Sequence, residues 1–165
     1  MAEALIGLGG NVGDARATLQ RAVGLFCDGE IVRLVRRSSD YRTPPWGVAD
    51  QPAFVNLCLV IATELAPRAL LDRALSVERA FGRNRANEQH WGPRSVDIDL
   101  LAYDDIVLAE PGLRLPHPHL FERAFVLIPL AEIAGDRVVA GRTITDATKR
   151  VGPAEAAAIE RLPPR

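Results

Sequence analysis

The stretch Trp91-Gly92-Pro93-Arg94-Ser95-Val96-Asp97-Ile98-Asp99-Leu100-Leu101 joins an apolar strand pattern to two acidic residues. In its second half, apolar residues alternate with Asp97 and Asp99, and a period of two predicts a strand whose two carboxylates project from one face. Like charges side by side on a half-buried surface repel each other and lose hydration, so we expect a cation between them. Mg²⁺ fits this requirement, because it binds one or two carboxylates together with substrate phosphates and water.

The residues around this strand favour phosphate chemistry. The simple alternative is a surface strand with two solvated acids, since Asp-x-Asp is a common tripeptide. However, Arg94 precedes the acids, and Arg83 and Arg85 lie upstream in a loop with little apolar content. Planar guanidinium groups suit phosphate oxygens, so acids and arginines around a strand end indicate phosphoryl transfer.

The composition is typical of one globular domain. The chain has 165 residues, 48% of them hydrophobic, and a net charge of −1, a size that forms one core but not two. The near-neutral charge argues against nucleic-acid binding through bulk attraction. Cys27 and Cys58 lie in apolar runs, which predicts buried thiols in a reducing compartment. With no basic and apolar leader and no run of membrane-spanning length, we expect a cytoplasmic protein.

The apolar patterns predict the order strand, helix, strand, strand, helix, strand. Asp14 can cap the first helix, and Pro67 and Gly82 mark the start and end of the second. This βαββαβ order predicts an α+β ferredoxin-like sandwich, with one antiparallel sheet, helices on one face and the other face open to a ligand. We expect a single domain, residues 1–165, whose core is 1–135. Residues 136–165 would form a short extension with a strand-turn element, a helix at 145–151 and a frayed tail.

A glycine-rich turn, Gly9-Gly10-Asn11-Val12-Gly13, follows the first predicted strand. A turn of this kind between a strand and a helix suggests nucleotide binding, but neither the dinucleotide fingerprint nor a Gly-Lys-Ser/Thr sequence is present. We therefore interpret it as a turn whose backbone needs positive φ.

Two long loops and one polar residue are candidates for ligand binding. Residues 43–52 contain three prolines and Trp46, and a loop of this length in a compact domain is usually functional or disordered. An exposed tryptophan at its tip favours a lid. Residues 83–91 form a second such loop before the acidic strand. Asn56 interrupts the most apolar strand on the face that it shares with Phe54, and its amide needs partners, either backbone groups or a planar heterocycle.

Four further side chains are candidates for the same site. Glu78 lies at the edge of the apolar stripe of the second helix, where it is either solvated or orders the nearby arginines. His117 has no cysteine near it, which argues against a transition-metal site and favours a donor to phosphate. Arg123 and Phe125 fall on a short helix predicted over 121–130.

The order of these motifs resembles that of the 6-hydroxymethyl-7,8-dihydropterin pyrophosphokinase family. The resemblance covers roughly residues 4–135. The matching motifs are Tyr41-Arg42-Thr43-Pro44-Pro45, Asp50-Gln51-Pro52-x-Phe54-x-Asn56, Gly82-Arg83-x-Arg85, Trp91-Gly92-Pro93-Arg94-x-x-Asp97-x-Asp99 and Pro116-His117. The resemblance implies an enzyme of folate biosynthesis that transfers the β,γ-pyrophosphoryl group of ATP to the hydroxymethyl group of a dihydropterin and releases AMP.

The resemblance also implies roles for the matching residues. Asp97 and Asp99 would hold two Mg²⁺ ions and, with Arg83 and Arg94, form the catalytic set. The implied ATP-binding residues are Glu78, Arg83, Arg85, Trp91, Arg94, Ile98, His117 and Arg123. The implied pterin-binding residues are Thr43, Pro44, Pro45, Trp46, Phe54, Asn56, Asp97 and Phe125. We expect a monomer that binds these small substrates and neither nucleic acid nor a membrane.

Two other classes of protein share parts of the pattern. Nucleotidyl cyclases and polymerase palm domains also carry two carboxylates on a ferredoxin-like sheet, but Asn56 and Phe125 beside a proline-framed loop favour a small planar heterocycle. RNA-binding modules of this fold need exposed aromatic residues on their central strands. This chain has acids there instead, so we favour the pterin kinase.

Overall fold

A six-stranded antiparallel sheet forms the centre of the computed structural model, which describes residues 1–45, 49–82 and 92–165. The strands are β1 (Ala2–Gly10), β2 (Val32–Arg37), β3 (Tyr41–Thr43), β4 (Phe54–Thr63), β5 (Asp97–Tyr103), β6 (Leu108–Glu110), β7 (Leu113–Leu115), β8 (Val138–Val139), β9 (Arg142–Thr143) and β10 (Glu160–Arg161). The helices are α1 (Ala15–Phe26), α2 (Pro67–Ala80), α3 (Ala124–Ala134), α4 (Ile144–Thr148) and α5 (Pro153–Ala157). The sheet order is β10-β3-β4-β1-β5, and β2 also pairs with β4. The chain is therefore an α+β protein, as predicted.

The ends of the first two helices follow the predicted signals. The Asp14 carboxylate accepts a hydrogen bond from the Ala17 backbone N–H at 3.3 Å, which caps α1. Pro67 occupies the first position of α2, where its missing N–H has no cost. Gly82 adopts φ +82° just after α2, a conformation that ends helices and favours glycine. The predicted helix boundaries are confirmed to within a few residues.

Helices cover both faces of the sheet, whereas one helical face was predicted. On one face, Ile6 and Leu59 pack with Phe26 of α1 and Leu70 of α2. On the other face, the buried residues of the sheet pack with those of α3: Leu5, Cys58, Val60 and Leu101 with Val126 and Leu130. α3 is apolar around most of its circumference, and such a helix is buried rather than half-solvated. It leaves uncovered the part of this face around Gly9, Asn56 and Asp97, and the candidate site lies there.

The glycines at the end of β1 permit close packing, and this corrects the predicted turn. β1 continues to Gly10, and a Cβ atom on Gly9 would collide with the Oδ1 atom of Asn56. A Cβ atom on Gly10 would collide with the backbone oxygen of Ser95. Gly13 alone of these three glycines has positive φ, at +62°. Gly9 and Gly10 therefore bring neighbouring groups close to the strand, and Gly13 makes the turn.

The chain stays attached to the sheet up to the segment that was predicted to fray, residues 163–165. β10 pairs with β3, and the Leu162 backbone N–H donates to the Asp40 carbonyl at 2.9 Å. The Leu162 side chain is buried. Arg16 of α1 donates to the Pro163 carbonyl at 2.6 Å. Burial of Leu162 offsets the entropy lost when this segment is ordered. The composition of the segment alone does not reveal that burial.

Among the helices of the described residues, none is both long enough and apolar enough to span a bilayer.

Candidate active site

The two acidic residues of β5, Asp97 and Asp99, lie side by side and are half-buried. Asp97 is paired with Gly9 of β1, and Asp99 with Gly7. Because both cross-strand neighbours lack a side chain, nothing on β1 stands directly beside either carboxylate. Both acids line a cavity of about 280 Å³ between the sheet and the start of α3. The predicted face-sharing of the two carboxylates is confirmed, and the opposing glycines leave room for a ligand.

Three basic side chains face these carboxylates. The Arg94 Nη1 atom lies 3.2 Å from Asp97 Oδ2, and Arg123 Nη1 lies 3.7 Å from Asp99 Oδ2. The His117 Nε2 atom is 3.9 Å from Asp99 Oδ1. Both guanidinium groups are largely buried, where charges interact more strongly than in water. Burial lowers the pKa of Arg123, and the charge of Asp99 opposes that shift. The cluster is thus suited to binding a polyanion beside two acids.

His117 presents an N–H group towards Asp99. Its Nδ1 atom accepts a hydrogen bond from the His119 backbone N–H at 3.1 Å. Burial, followed by the charge of Arg123, lowers the pKa of His117 to about 4, so the imidazole is neutral near pH 7. A neutral imidazole with an acceptor at Nδ1 carries its proton at Nε2. The ring can therefore donate to an oxygen atom bound in front of Asp99.

One pocket beside Asp97 has aromatic walls and an amide at its base. It has a volume of about 450 Å³, and its lining residues are Gly9, Thr43, Pro44, Phe54, Asn56, Arg94, Asp97, Arg123 and Phe125. The Asn56 Nδ2 atom donates to Thr43 Oγ1 at 2.7 Å, and Asn56 is 9% exposed. The Arg123 guanidinium lies 5.5 Å from the centre of the Phe125 ring. Aromatic surfaces with a few placed polar groups are typical of a site for a flat heterocycle.

A second, wider cleft lies on the Asp99 side. Its volume is about 1,160 Å³, and Asp99 and His117 line it together with Ile98. Apolar residues of α2 and two arginines complete much of its wall: Leu71, Leu75, Arg68 and Arg114. The Ile98 side chain itself is buried in the core. The cleft has room for an elongated ligand whose anionic part lies within reach of the His117 N–H.

Glu78 is buried beneath β5, so the solvated alternative for this residue is wrong. Its exposure is 1%, and its Oε2 atom accepts the Ile98 backbone N–H at 2.8 Å. That N–H belongs to the residue between the two acids. Glu78 therefore anchors the strand backbone between Asp97 and Asp99, the two residues whose side chains project away from this core.

Some predicted site residues lie outside the described residues: Trp46, Arg83, Arg85 and Trp91. Pro45 is described but does not line the aromatic pocket. The other predicted pterin-binding residues line it: Thr43, Pro44, Phe54, Asn56, Asp97 and Phe125.

Comparison with known proteins identifies the family. Residues 5–135 match the sequence model of the 7,8-dihydro-6-hydroxymethylpterin-pyrophosphokinase (HPPK) family. The chain belongs to this family. A 2-amino-4-hydroxy-6-hydroxymethyldihydropteridine pyrophosphokinase of Methylorubrum extorquens is 48% identical over 162 residues, which cover 98% of this chain and 99% of that protein. The Bacillus subtilis enzyme of the same name is 42% identical over 130 residues, 79% of this chain and 77% of that one.

Solved structures with HPPK in their descriptions share the fold. A Plasmodium falciparum wild-type HPPK-DHPS structure superposes with a TM-score of 0.70 at 15% identity, over 90% of this chain and 41% of that one. An HPPK-DHPS structure in complex with substrates gives a TM-score of 0.71 at 12% identity, over 90% of this chain and 43% of that one. This chain thus spans less than half the length of these solved chains.

The predicted activity is confirmed by membership of the HPPK family. The chain is a diphosphotransferase of folate biosynthesis. It transfers pyrophosphate from ATP to 6-hydroxymethyl-7,8-dihydropterin, giving the dihydropterin pyrophosphate and AMP. The cyclase, polymerase and RNA-binding alternatives are not supported.

Two residues in or near the candidate site were not identified from the sequence. Gly9 lines the aromatic pocket, and Asn11 is 5% exposed and bonded to two loops. Both belong to the glycine-rich motif that we interpreted as a turn after setting aside nucleotide binding. The useful signal in the sequence was a polar residue, Asn11, directly after two adjacent glycines. The partners of Asn11 could not be deduced, because they lie far along the chain and approach it only when the sheet forms.

Proposed function

We propose that the HPPK reaction takes place where the aromatic pocket and the wide cleft meet, with Asp97 and Asp99 at the boundary. The main support for this proposal is that Asp97 lines the pocket and Asp99 lines the cleft, two residues apart on one strand. The dihydropterin would occupy the pocket, and the ATP triphosphate would lie along the cleft. The hydroxymethyl oxygen and the β-phosphorus would then meet in front of the two acids.

The aromatic pocket supplies groups suited to the pterin ring. The Asn56 amide and the backbone around Thr43 and Pro44 can bond to its polar edge. Phe54 and Phe125 can cover its faces. Pro45 and Trp46 remain predicted contacts.

The basic residues supply the phosphate contacts. Arg94 and Arg123 would bind oxygens of the triphosphate through guanidinium N–H groups, and His117 would donate from Nε2. The roles of Arg83 and Arg94 in catalysis are proposals of the same kind. So are the roles of the remaining predicted ATP-binding residues: Glu78, Arg85, Trp91 and Ile98.

The donor set fits Mg²⁺. Within the described residues, no group of three or more His, Cys, Asp or Glu side chains converges as in an all-protein metal site. Two adjacent carboxylates that leave the other positions to phosphate and water are the arrangement that Mg²⁺ usually occupies. Asp97 and Asp99 would hold two ions. When bound, the ions would neutralise part of the triphosphate charge.

The chain's own contribution would be to position the reactants and offset charge. The hydroxymethyl oxygen forms a bond to the β-phosphorus and its proton is released to solvent. The bond from that phosphorus to the α,β-bridging oxygen breaks, and AMP leaves with that oxygen. Arg94 and Arg123 would stabilise the charge that spreads over the transferred group. Oriented reactants lower the barrier without a dedicated general base.

We also propose that the core is ferredoxin-like and that residues 1–165 form a single domain. The order β5-β1-β4 with β2 and β3 beyond β4 supports the first proposal. The burial of Val139 and Ile144 in the cluster with α3 supports the second. That the protein is a monomer stays a prediction, which sedimentation analysis would test.

The central assay measures AMP formed from ATP, Mg²⁺ and the reduced hydroxymethylpterin. We expect AMP to appear only when the pterin is present, and chelation of the metal to stop its formation. Asp97→Asn and Asp99→Asn should each reduce kcat/KM by about 100- to 1,000-fold, because each removes a charge that the transition state needs.

Asp105→Asn, at an exposed position of the following turn, is the matched control and should keep wild-type activity. Folded Asp97→Asn or Asp99→Asn protein with near wild-type, metal-dependent turnover would contradict the assignment of the two acids.

A further inference from the structure

Asn11 holds together two segments that are far apart in the sequence. Its Nδ2 atom donates to Gln51 Oε1 at 3.0 Å and to the Pro52 carbonyl at 2.9 Å. Its Oδ1 atom accepts the Arg94 backbone N–H at 2.9 Å. Its own backbone N–H donates to the Arg94 carbonyl, also at 2.9 Å. Both amide hydrogens and the side-chain oxygen are thus used, in a residue that is 95% buried.

The two segments that Asn11 connects lead to different parts of the proposed site. Pro52 precedes Phe54, which lines the aromatic pocket. Arg94 carries the guanidinium that faces Asp97 at 3.2 Å. Asn11 therefore lies between the end of the pterin-side loop and the residue that would contact phosphate.

The neighbouring glycine allows this contact. A Cβ atom on Gly10 would collide with the Ser95 carbonyl oxygen and lie 3.4 Å from that of Arg94. The backbone at 94–95 therefore approaches β1 more closely than any other residue at position 10 would permit. This approach brings Arg94 within reach of both the backbone and the side chain of Asn11.

We propose that Asn11 is a positioning residue that couples the pterin-side loop end at 51–52 to Arg94, so that the two substrates are held in register. The proposal rests on the assignment of the pocket to pterin and of Arg94 to phosphate. Asn11 contacts neither substrate itself. It acts through the backbone of Arg94 and through Gln51 and Pro52.

Two substitutions separate the two halves of this contact. Asn11→Asp keeps an acceptor for the Arg94 N–H but loses both donors towards Gln51 and Pro52. We expect the pterin Kd to rise about tenfold, with the Kd of a non-hydrolysable ATP analogue changed less than about twofold. Asn11→Ala also removes the acceptor of the Arg94 N–H and leaves only the backbone bond to the Arg94 carbonyl. We expect kcat to fall about tenfold in addition. Calorimetry and steady-state kinetics measure these effects.

Gln51→Ala tests the same contact from the other side and serves if the Asn11 variants fold poorly. It should raise the pterin Kd by less than Asn11→Asp does, and the double variant should bind pterin no more weakly than Asn11→Asp alone. Gln20→Ala, at an exposed position of α1, is the control for loss of a side-chain amide and should change neither Kd.

The proposal is overturned if folded Asn11→Asp binds pterin normally. It is also overturned if the Kd values for pterin and for the ATP analogue rise by equal factors while the stability of the variant falls. Should neither Asn11 variant fold, an unchanged pterin Kd in Gln51→Ala overturns it. Asn56→Ala separates this failure from failure of the proposed site. Weaker pterin binding in Asn56→Ala with no effect at Asn11 rejects the coupling alone, whereas normal pterin binding in Asn56→Ala rejects the pocket assignment.

Discussion

At the scale of single residues, the site depends on side chains that are absent as much as on those present. Gly7 and Gly9 stand opposite Asp99 and Asp97 across the β1–β5 pairing. A larger residue at either position would project from the same face as the acids and occupy the space beside them. The ion pair between Asp97 and Arg94, at 3.2 Å, and the longer pair between Asp99 and Arg123, at 3.7 Å, then offset part of the charge of these half-buried carboxylates.

Gly9→Ala should damage the aromatic pocket, which we assign to pterin, more than the rest of the site. The new Cβ atom would collide with Asn56 Oδ1, so either the amide moves or the strand shifts, at a cost of about 1–3 kcal/mol in the free energy of unfolding. We expect the pterin Kd to rise more than the Kd of an ATP analogue, as measured by calorimetry. Gly24→Ala, where a Cβ atom meets nothing within 4 Å, is the matched control. Equal pterin affinity in the Gly9 and Gly24 variants would show that Asn56 adapts at no cost.

At the scale of elements, α2 and β5 meet through one buried carboxylate. Glu78 accepts the Ile98 N–H from beneath the strand, while the Ile98 side chain packs in the core. The backbone between the two acids is thus fixed through both the N–H group and the side chain of Ile98. A helix on the far face of the sheet thus helps to place the acids that face α3.

Glu78→Ala should lower the free energy of unfolding by about 1–3 kcal/mol, because it leaves the buried Ile98 N–H without an acceptor. Glu78→Gln retains an oxygen acceptor of the same reach, so a smaller decrease is expected. Denaturant unfolding of the two variants measures the difference. If both variants lose the same stability, the contact with Ile98 is not the important role of Glu78.

At the scale of the whole molecule, the C-terminal extension closes onto the start of the chain. β10 adds to the sheet beside β3, which carries Thr43 of the aromatic pocket. Asp40, just before β3, accepts from Arg16 of α1 and from Arg37 of β2, each at 2.9 Å. α1, β2, β3 and the C-terminal segment are therefore connected around one buried carboxylate. The edge of β3, behind the aromatic pocket, is thereby covered by β10.

Leu162→Ala should lower the free energy of unfolding by about 2 kcal/mol, because the buried leucine covers this edge. Arg165→Ala removes an ion pair with Asp14 in which both side chains are more than half exposed, so we expect a much smaller effect. Calorimetric melting of both variants provides the comparison. A Leu162 variant as stable as the Arg165 variant would show that the segment beyond β10 is not part of the cooperative core.

The sequence by itself determined the elements with strong local signals: the Asp14 cap, the Pro67 and Gly82 ends of α2, and the alternating strand that carries Asp97 and Asp99. It also determined the family, because the proline, arginine and diaspartate motifs between residues 41 and 117 occur together in the order typical of that family. Only the tertiary structure decided that α3 covers the second face, that Gly9 and Gly10 serve close packing, that Glu78 is buried and that Asn11 joins two loops. The reason is physical. Caps and periodicity are local properties of the backbone, whereas these contacts join residues 20 or more positions apart. Their partners are fixed only when strands pair and helices pack.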